Sequence, residues 1–316
     1  MDRQADYVLR RLRLRHLELL VALAEVGTMR AAAQRLHLSQ PAISKMLHEA
    51  ESAFGASLFE RSRQGVQLTA AGAAAVRRVR VVLGELAHVP EEVGAIQRGA
   101  SAVLRVGTFS VTAVVPAAVV KLRRQQPRVA VHIHEGRVHE LIQMLLAGEL
   151  DCVFGALTHE LLDGDTLRRL QREVLIEDSL RVLVADGHPA LRRRGLRWPH
   201  LADADWVVPP RHTLVREAFM TAFLNEGADP PEPVIETLSS VTIGALLRLD
   251  PRLVCAVRRE HARDELARGG VRQLAVQPQV PLPPLGLFTR RSGSEASPVV
   301  QAFARAMQPT GSVSVG

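Results

Sequence analysis

Cysteine is almost missing from these 316 residues. Cys152 and Cys255 are the only two, too few for a disulfide framework, which points to a reducing, cytoplasmic setting. Lysine and asparagine are as scarce: Lys45 and Lys121 stand alone, Asn225 is the sole asparagine, and 38 of the 40 basic residues are arginine. Such a bias is the imprint of a GC-rich genome and names no function, although arginine's planar fork suits phosphate and carboxylate. Aromatic residues make up 3% of the chain against 47% hydrophobic, so the core has to be built from Leu, Val and Ala. The longest apolar run, Val111 to Val120, is interrupted by Thr112 and Pro116 and falls short of the roughly 20 residues a membrane helix needs. Met1 to Asp6 carries acids and no apolar stretch, which argues against a secretory leader. No phosphate loop, nucleophile elbow or catalytic carboxylate pair occurs, so neither enzyme activity nor a cofactor is expected. The balance of 40 basic against 33 acidic residues, +7, permits an anionic partner without naming one.

The N-terminal pattern is helical. Leu17, Leu20, Val21 and Ala24 recur at one face of a helix that Gly27 would end. Thr28 stands where the next helix, Met29 to Leu36, wants an N-cap. Ala31, Ala32 and Ala33 allow close helix approach, and His37-Leu38 forms a tight connection. Ser39 caps a third helix that tolerates Pro41 in its first turn, has Ile43, Leu47, Ala50 and Phe54 on its inner face, and stops at Gly55. Two short helices joined this way describe a helix-turn-helix. Leu58 to Leu68, with a turn at Gly65, reads as a two-stranded wing bearing Arg61 and Arg63.

The ordered run from Ala31 to Lys45, then Phe54-Gly55, Leu58-Phe59-Glu60-Arg61 and Leu68-Thr69-Ala70-Ala71-Gly72, resembles the winged helix-turn-helix of LysR-type transcriptional regulators. Ala50 stands where the family usually has leucine, thinning the core. Lys45 stands where arginine is common, keeping the charge but giving up the bidentate fork. The lead-in Arg11 to Leu17 resembles a subgroup that includes regulators of sugar-binding-protein genes and aromatic catabolism. The implied domains are 1–68 for DNA binding, 69–99 for a linker helix that dimerises, and 100–316 for an effector domain. The linker seam is Gly72, Val76, Val79, Leu83, Leu86, Pro90 and Val93, with a break or kink expected near His88 to Pro90.

Beyond residue 101 strands and helices alternate, the texture of a parallel α/β sheet. The resemblance implies a two-subdomain fold like type 2 periplasmic binding proteins, with subdomain I near 100–178 and 277–316 and subdomain II near 179–276. The expected fold is therefore α/β, with an N-terminal all-α winged helix-turn-helix and a linker helix.

In such a motif the second helix enters the major groove, which puts Gln40, Pro41, Ser44 and Lys45 nearest base edges. Thr28, Arg30, Ser39, Arg61 and Arg63 are placed for the backbone and phosphates. Helix starts around a cleft favour an anion, so Thr108, Ser110, Thr112, Arg211, Thr213, Ser239 and Ser240 are the effector candidates. Ser239 and Ser240 are equally explained as N-caps, and Thr108 to Pro116 is shorter than the family's turn there. His132, His134, His139 and Glu140 read better as a polar strand face than as a metal site, and no metal is expected. The function expected is a sequence-specific, cytoplasmic transcriptional regulator controlled by a small anionic metabolite, such as a sugar acid or aromatic carboxylate. The partners expected are double-stranded promoter DNA, a second copy through the linker helices, a homotetramer as the resemblance implies, and RNA polymerase. The alternatives are a constitutive DNA-binding regulator without effector and a cytoplasmic solute-binding α/β protein.

Overall fold

The computed structural model describes residues 8, 10–62, 65–109, 112–156, 164–291 and 297–308. The chain divides into two compact units, residues 1–98 with 144–150, and residues 99–143 with 151–316.

In the first unit α1 (Leu14–Val26), α2 (Met29–Arg35) and α3 (Gln40–Phe54) precede a hairpin of β1 (Phe59–Ser62) and β2 (Gly65–Leu68), then α4 (Ala70–Gln97). The boundaries are set locally. Gly27 and Gly55 close α1 and α3 with φ of 67°, where a glycine carries no Cβ penalty. Thr28, Ser39 and Thr69 each accept a backbone N–H from the first turn that follows. The turn between α2 and α3 is a Schellman closure, with Leu38 N–H donating to Ala33 O at 2.9 Å and His37 N–H to Gln34 O at 3.2 Å. His37 takes the left-handed conformation there, at φ 54°. Leu19, Leu20, Leu23, Ala32, Ile43, Ala50, Leu58, Val76 and Val79 form one buried cluster, so the start of α4 belongs to this core.

α4 runs 28 residues without a break, straight through Pro90. The break expected near His88 to Pro90 does not occur, since the helix is continuous there. Leu86 and Pro90 are both exposed, so the carbonyl that proline's missing N–H leaves unpaired is open to water. Along α4, Val76 and Val79 are buried, whereas Val82, Leu86, Val89, Val93 and Ile96 lie between 46% and 52% exposed.

The second unit is built on β3 (Ala102–Thr108), α5 (Val114–Gln125), β4 (Val129–Glu135), α6 (Val138–Ala147), β5 (Cys152–Ala156), α7 (Gly164–Arg168), β6 (Leu170–Ala185), β7 (Asp205–Val208), α8 (Leu214–Leu224), β8 (Ile235–Glu236), α9 (Ser240–Leu249), β9 (Leu253–Arg258), α10 (Arg259–Arg268), β10 (Val271–Leu274), β11 (Pro281–Arg290) and α11 (Pro298–Met307). The strand order is β4-β3-β5-β11-β6-β9-β7-β8, with β10 also on β6. β3 is parallel to β4 and β5, and β7 is parallel to β8 and β9. β6 and β11 run antiparallel to their neighbours, so the sheet is mixed rather than parallel. β6 is 16 residues long and serves two lobes: Leu170 to Ser179 pairs with β11, while Leu180 to Val184 pairs with β9.

In one lobe Leu104, Val106, Phe154, Leu285 and Leu287 meet Val115 and Leu122 of α5 and Val300 and Phe303 of α11. In the other, alternation sorts the sheet into two faces. Val182, Val184, Trp206 and Val254 face Phe219 and Phe223 of α8, and the intervening Leu183, Val207 and Cys255 face Ile243 and Leu247 of α9 and Ala262 of α10. β4 does not bury alternate residues. Only Val129 is buried and Ile133 is 44% exposed, because β4 is an edge strand. α10 has no counterpart in the sequence reading.

Candidate functional site: a nucleic-acid face and a ligand cleft

α3 has two unlike faces. Ile43, Ala50 and Ala53 are buried, while Gln40, Pro41 and Lys45 are exposed and Ser44 is half-buried. Lys45 Nζ lies 4.0 Å from Glu49 Oε1 with its side chain 80% exposed, so the pair holds the ammonium only weakly. Arg30 is exposed on the first turn of α2. Ser39 and Thr28 use their hydroxyl oxygens as caps, accepting from Ala42 N–H at 3.4 Å and Ala31 N–H at 3.2 Å. Arg61 lies in β1 opposite Val66, and Arg63 lies outside the described residues. Arg35 and Arg80, by contrast, are drawn onto Glu25 at 2.6 and 3.6 Å.

The wing is fastened to the helices by contacts that sequence reading missed. Glu51 Oε1 accepts from the N–H groups of Leu58 and Phe59 at 2.7 and 3.2 Å. Thr69 Oγ1 donates to Ser57 O at 2.8 Å and accepts from Gly72 N–H at 2.9 Å. Val66 N–H donates to Gly27 O at 2.8 Å. A Cβ on Gly65 would sit 2.2 Å from that same carbonyl, and one on Gly72 would sit 1.8 Å from Leu58 O. These two glycines are therefore required by close backbone approach.

The second unit holds a cavity of about 710 Å³. Phe109, Thr112, Arg137 and His139 line it from one lobe, and His212, Thr213, Ser239, Ser240, Arg258 and His261 from the other. Of the expected effector residues, Thr112, Thr213, Ser239 and Ser240 are brought together here. Two of their hydroxyls are already committed: Thr213 donates to Pro210 O at 2.9 Å and accepts from Arg216 N–H, and Ser239 accepts from Thr242 N–H at 3.2 Å. Thr108 is buried at the end of β3 and does not line the cavity. Ser110 lies outside the described residues. Arg211 does not line the cavity either; it is exposed and donates to Glu232 at 2.7 Å.

Besides Arg137, the cavity is reached by Arg258, at the end of β9. Its guanidinium donates to Asp178 Oδ2 and lies 5.1 Å from the centre of the Phe109 ring. Burial pushes its pKa below the ordinary arginine value, and the charge and hydrogen bond of Asp178 oppose that shift. Asp178 Oδ1 also accepts from Ser179 N–H at 2.8 Å and Arg259 N–H at 3.1 Å. His261 Nε2 lies 3.2 Å from Ser240 O, and burial lowers its pKa despite the nearby Glu265. The cavity thus offers apolar walls, the buried arginine paired to Asp178, the imidazoles of His139, His212 and His261, and the carboxylates of Glu135, Glu140, Glu217 and Glu260. No group of three or more His, Cys, Asp or Glu among the described residues could hold a metal ion. Cys152 and Cys255 are buried, and burial raises both thiols well above their usual range, which suits packing and not reactivity.

Comparison with known proteins gives two family matches. The family described as "Bacterial regulatory helix-turn-helix protein, lysR family" matches residues 14–73, and "LysR substrate binding domain" matches residues 97–311. The HTH-type transcriptional regulator GbpR of Azospirillum brasilense is 33% identical over 234 residues, 73% of this chain and 67% of that protein. The uncharacterized HTH-type transcriptional regulator YdcI of Escherichia coli (strain K12) is 30% identical over 287 residues, 89% of this chain and 90% of that protein. In fold, the chain is similar to a full-length OxyR variant from Pseudomonas aeruginosa, with a TM-score of 0.56 and 24% identity over 94% of this chain and 97% of the other.

Proposed function

The chain belongs to the LysR family of bacterial regulators, DNA-binding proteins with an effector-binding domain, and on that premise we propose which of its residues do the work. Gln40, Pro41, Ser44 and Lys45 read base edges in the major groove. Gln40 can pair bidentately with adenine, Lys45 can reach guanine, and Pro41 can touch a thymine methyl. Thr28, Arg30, Ser39, Arg61 and Arg63 hold the sugar-phosphate backbone. The observation that carries this reading is the two-sided α3: its inner face is buried in the domain core while Gln40, Pro41 and Lys45 are exposed.

Two copies pair through α4. Val82, Leu86, Val89, Val93 and Ile96 are spaced alternately four and three apart, a heptad stripe left exposed in the single chain. Pairing would present two α3 helices to a pseudo-palindromic site in promoter DNA, with further association into a tetramer and contact with RNA polymerase in the cytoplasm. No helix among the described residues is long and apolar enough to cross a membrane. A small anionic metabolite occupies the cavity of the second unit, and its unequal affinity for two lobe arrangements sets how the regulator acts on DNA. The relatives are regulators, and no catalytic step is proposed.

Footprinting of the full chain on the promoter beside its own gene tests the DNA half. Lys45→Ala or Gln40→Ala is expected to cost about 1–3 kcal/mol of discrimination per lost base contact. Arg61→Ala should weaken all sequences alike and lower the salt slope by about one. An Arg61→Ala protein with altered preference and intact affinity would overturn these roles.

A further inference from the structure

Three polar side chains at the junction of β9 and α10 line the cavity: Arg258, Glu260 and His261. Arg258 is answered by Asp178. Glu260 and His261 are only 5% and 9% exposed, yet each keeps an acceptor that the protein does not use. Glu260 Oε2 accepts from Arg263 at 3.4 Å, a long contact to a side chain that is 77% exposed. No hydrogen bond among the described residues reaches Glu260 Oε1. His261 Nε2 faces Ser240 O, which can only accept, and burial lowers the pKa of the ring. The proton of the neutral imidazole is therefore on Nε2, and Nδ1 keeps its lone pair. Neither Glu260 Oε1 nor His261 Nδ1 is among the described side-chain atoms that are sealed from solvent without a hydrogen bond. Both acceptors thus open onto accessible space, and the cavity is the space their residues line.

The charges around them lean one way. Glu135, Glu140, Glu217 and Glu260 line the cavity against Arg137 and Arg258, and Asp178 neutralises the latter. A cleft lined in this way draws a cation. The place of Glu260 in the first turn of α10 favours its charge, but it brings no donor to Oε1, and a buried carboxylate oxygen is costly until a donor meets it.

We propose that Glu260 and His261 form an ammonium subsite, so that the effector carries an amine beyond its anionic group and is an amino acid in place of a simple carboxylate. The proposal rests on the reading of this cavity as the effector site. An ammonium has three N–H donors and no acceptor, so one group meets both Glu260 Oε1 and His261 Nδ1 and offsets the surplus negative charge. The apolar walls are left for the carbon skeleton.

Hydrogen exchange on the full chain with caproate, ε-hydroxycaproate and ε-aminocaproate, probes that differ only at the end of the chain, tests this. ε-Aminocaproate should protect the start of α10 at concentrations about tenfold or more below those caproate needs, the gain from hydrogen bonds to a charged group. Glu260→Gln keeps the shape and removes the charge. It should erase most of that advantage without weakening caproate, so caproate also reports that the variant is folded. His261→Leu should weaken ε-aminocaproate by about fivefold or more and spare caproate; equal loss of both would remove the imidazole from the subsite. Caproate that protects as well as ε-aminocaproate overturns the subsite and leaves the cavity reading standing. ε-Hydroxycaproate matching ε-aminocaproate overturns the choice of a cation over a neutral donor. A Glu260→Gln protein that loses caproate and ε-aminocaproate alike shows a structural role for Glu260 and overturns the subsite as well. Absence of protection in every cavity segment with all three probes overturns the cavity reading itself.

Discussion

Glu51 carries the connection between α3 and the wing, and its removal has a calculable effect. Its carboxylate accepts from the buried Leu58 amide at 2.7 Å and from Phe59 at 3.2 Å. Hydrogen bonds to a charged acceptor contribute about 1.5–3 kcal/mol each, with the longer of the two at or below the lower end. Glu51→Ala therefore raises the free energy of the closed wing base by about 2–4 kcal/mol. That corresponds to about 30- to 1,000-fold faster exchange of the Leu58 and Phe59 amides if local opening limits them. Glu51→Gln keeps a carbonyl acceptor and loses only the charge, so about 1 kcal/mol, or fivefold, is expected. Site-resolved hydrogen exchange on the intact chain reads both numbers. DNA affinity should fall with the loosening of Arg61's strand, and by the same factor for matched and unmatched sequences. Unchanged protection in Glu51→Ala, or Gln behaving as badly as Ala, would refute the clamp.

Three further outcomes follow from the geometry. Leu86→Glu or Val93→Glu on the exposed stripe of α4 should weaken self-association by about tenfold or more in sedimentation equilibrium, since each puts a charge into the proposed seam; unaltered mass at all concentrations would place the contact elsewhere. Asp178→Asn leaves the buried Arg258 without its counter-charge and should cost about 3–5 kcal/mol, read as a lowered Tm; an unchanged Tm would show that Arg258 is solvated. Burial lowers the pKa of both His188 and His261, so below about 6.5 the unfolded chain binds their protons more readily than the folded one. Stability should be level from pH 8 to 7 and fall as pH drops through about 6.5, with His261→Gln removing part of that slope in thermal melts; a slope untouched by either histidine's replacement would count against the assignment.

What could be read in advance was what local chemistry decides. Gly27, Thr28, Ser39 and Gly55 end or start helices by backbone preference and short-range capping, and each does so where the sequence placed it. α10 was invisible for a physical reason. Its buried face is Glu260, His261, Ala262 and Glu265, with Glu265 fully buried and paired to Arg248 and Arg268, so no apolar stripe marks it. The cavity suffered likewise: Arg258 reaches it through Phe109 and Asp178, residues 149 and 80 positions distant in sequence, and no local pattern records such pairings. Hydroxyls were a weaker guide, because Thr213 and Ser239 are taken up in capping helices. Arg211 was attractive as an anchor only while Glu232 was out of view.

The shared strand β6 has a consequence for how this chain is made. Leu170 to Ile176 finds its antiparallel partner in β11 more than a hundred residues later, and the same core is sealed by Phe303 of α11. β9 and β10, which pair with the other end of β6, and β7, which pairs with β9, all precede β11 in the chain. Synthesis from the N-terminus thus lets the later lobe's contiguous middle assemble while the apolar sides of β3 and α5 wait for the last strand and helix to emerge. Chains that stop short of α11 leave Leu104, Val115 and Leu122 without their cover, an exposed surface of the kind that drives aggregation during synthesis. Loss of the final turns is therefore expected to matter most to the lobe that was begun first.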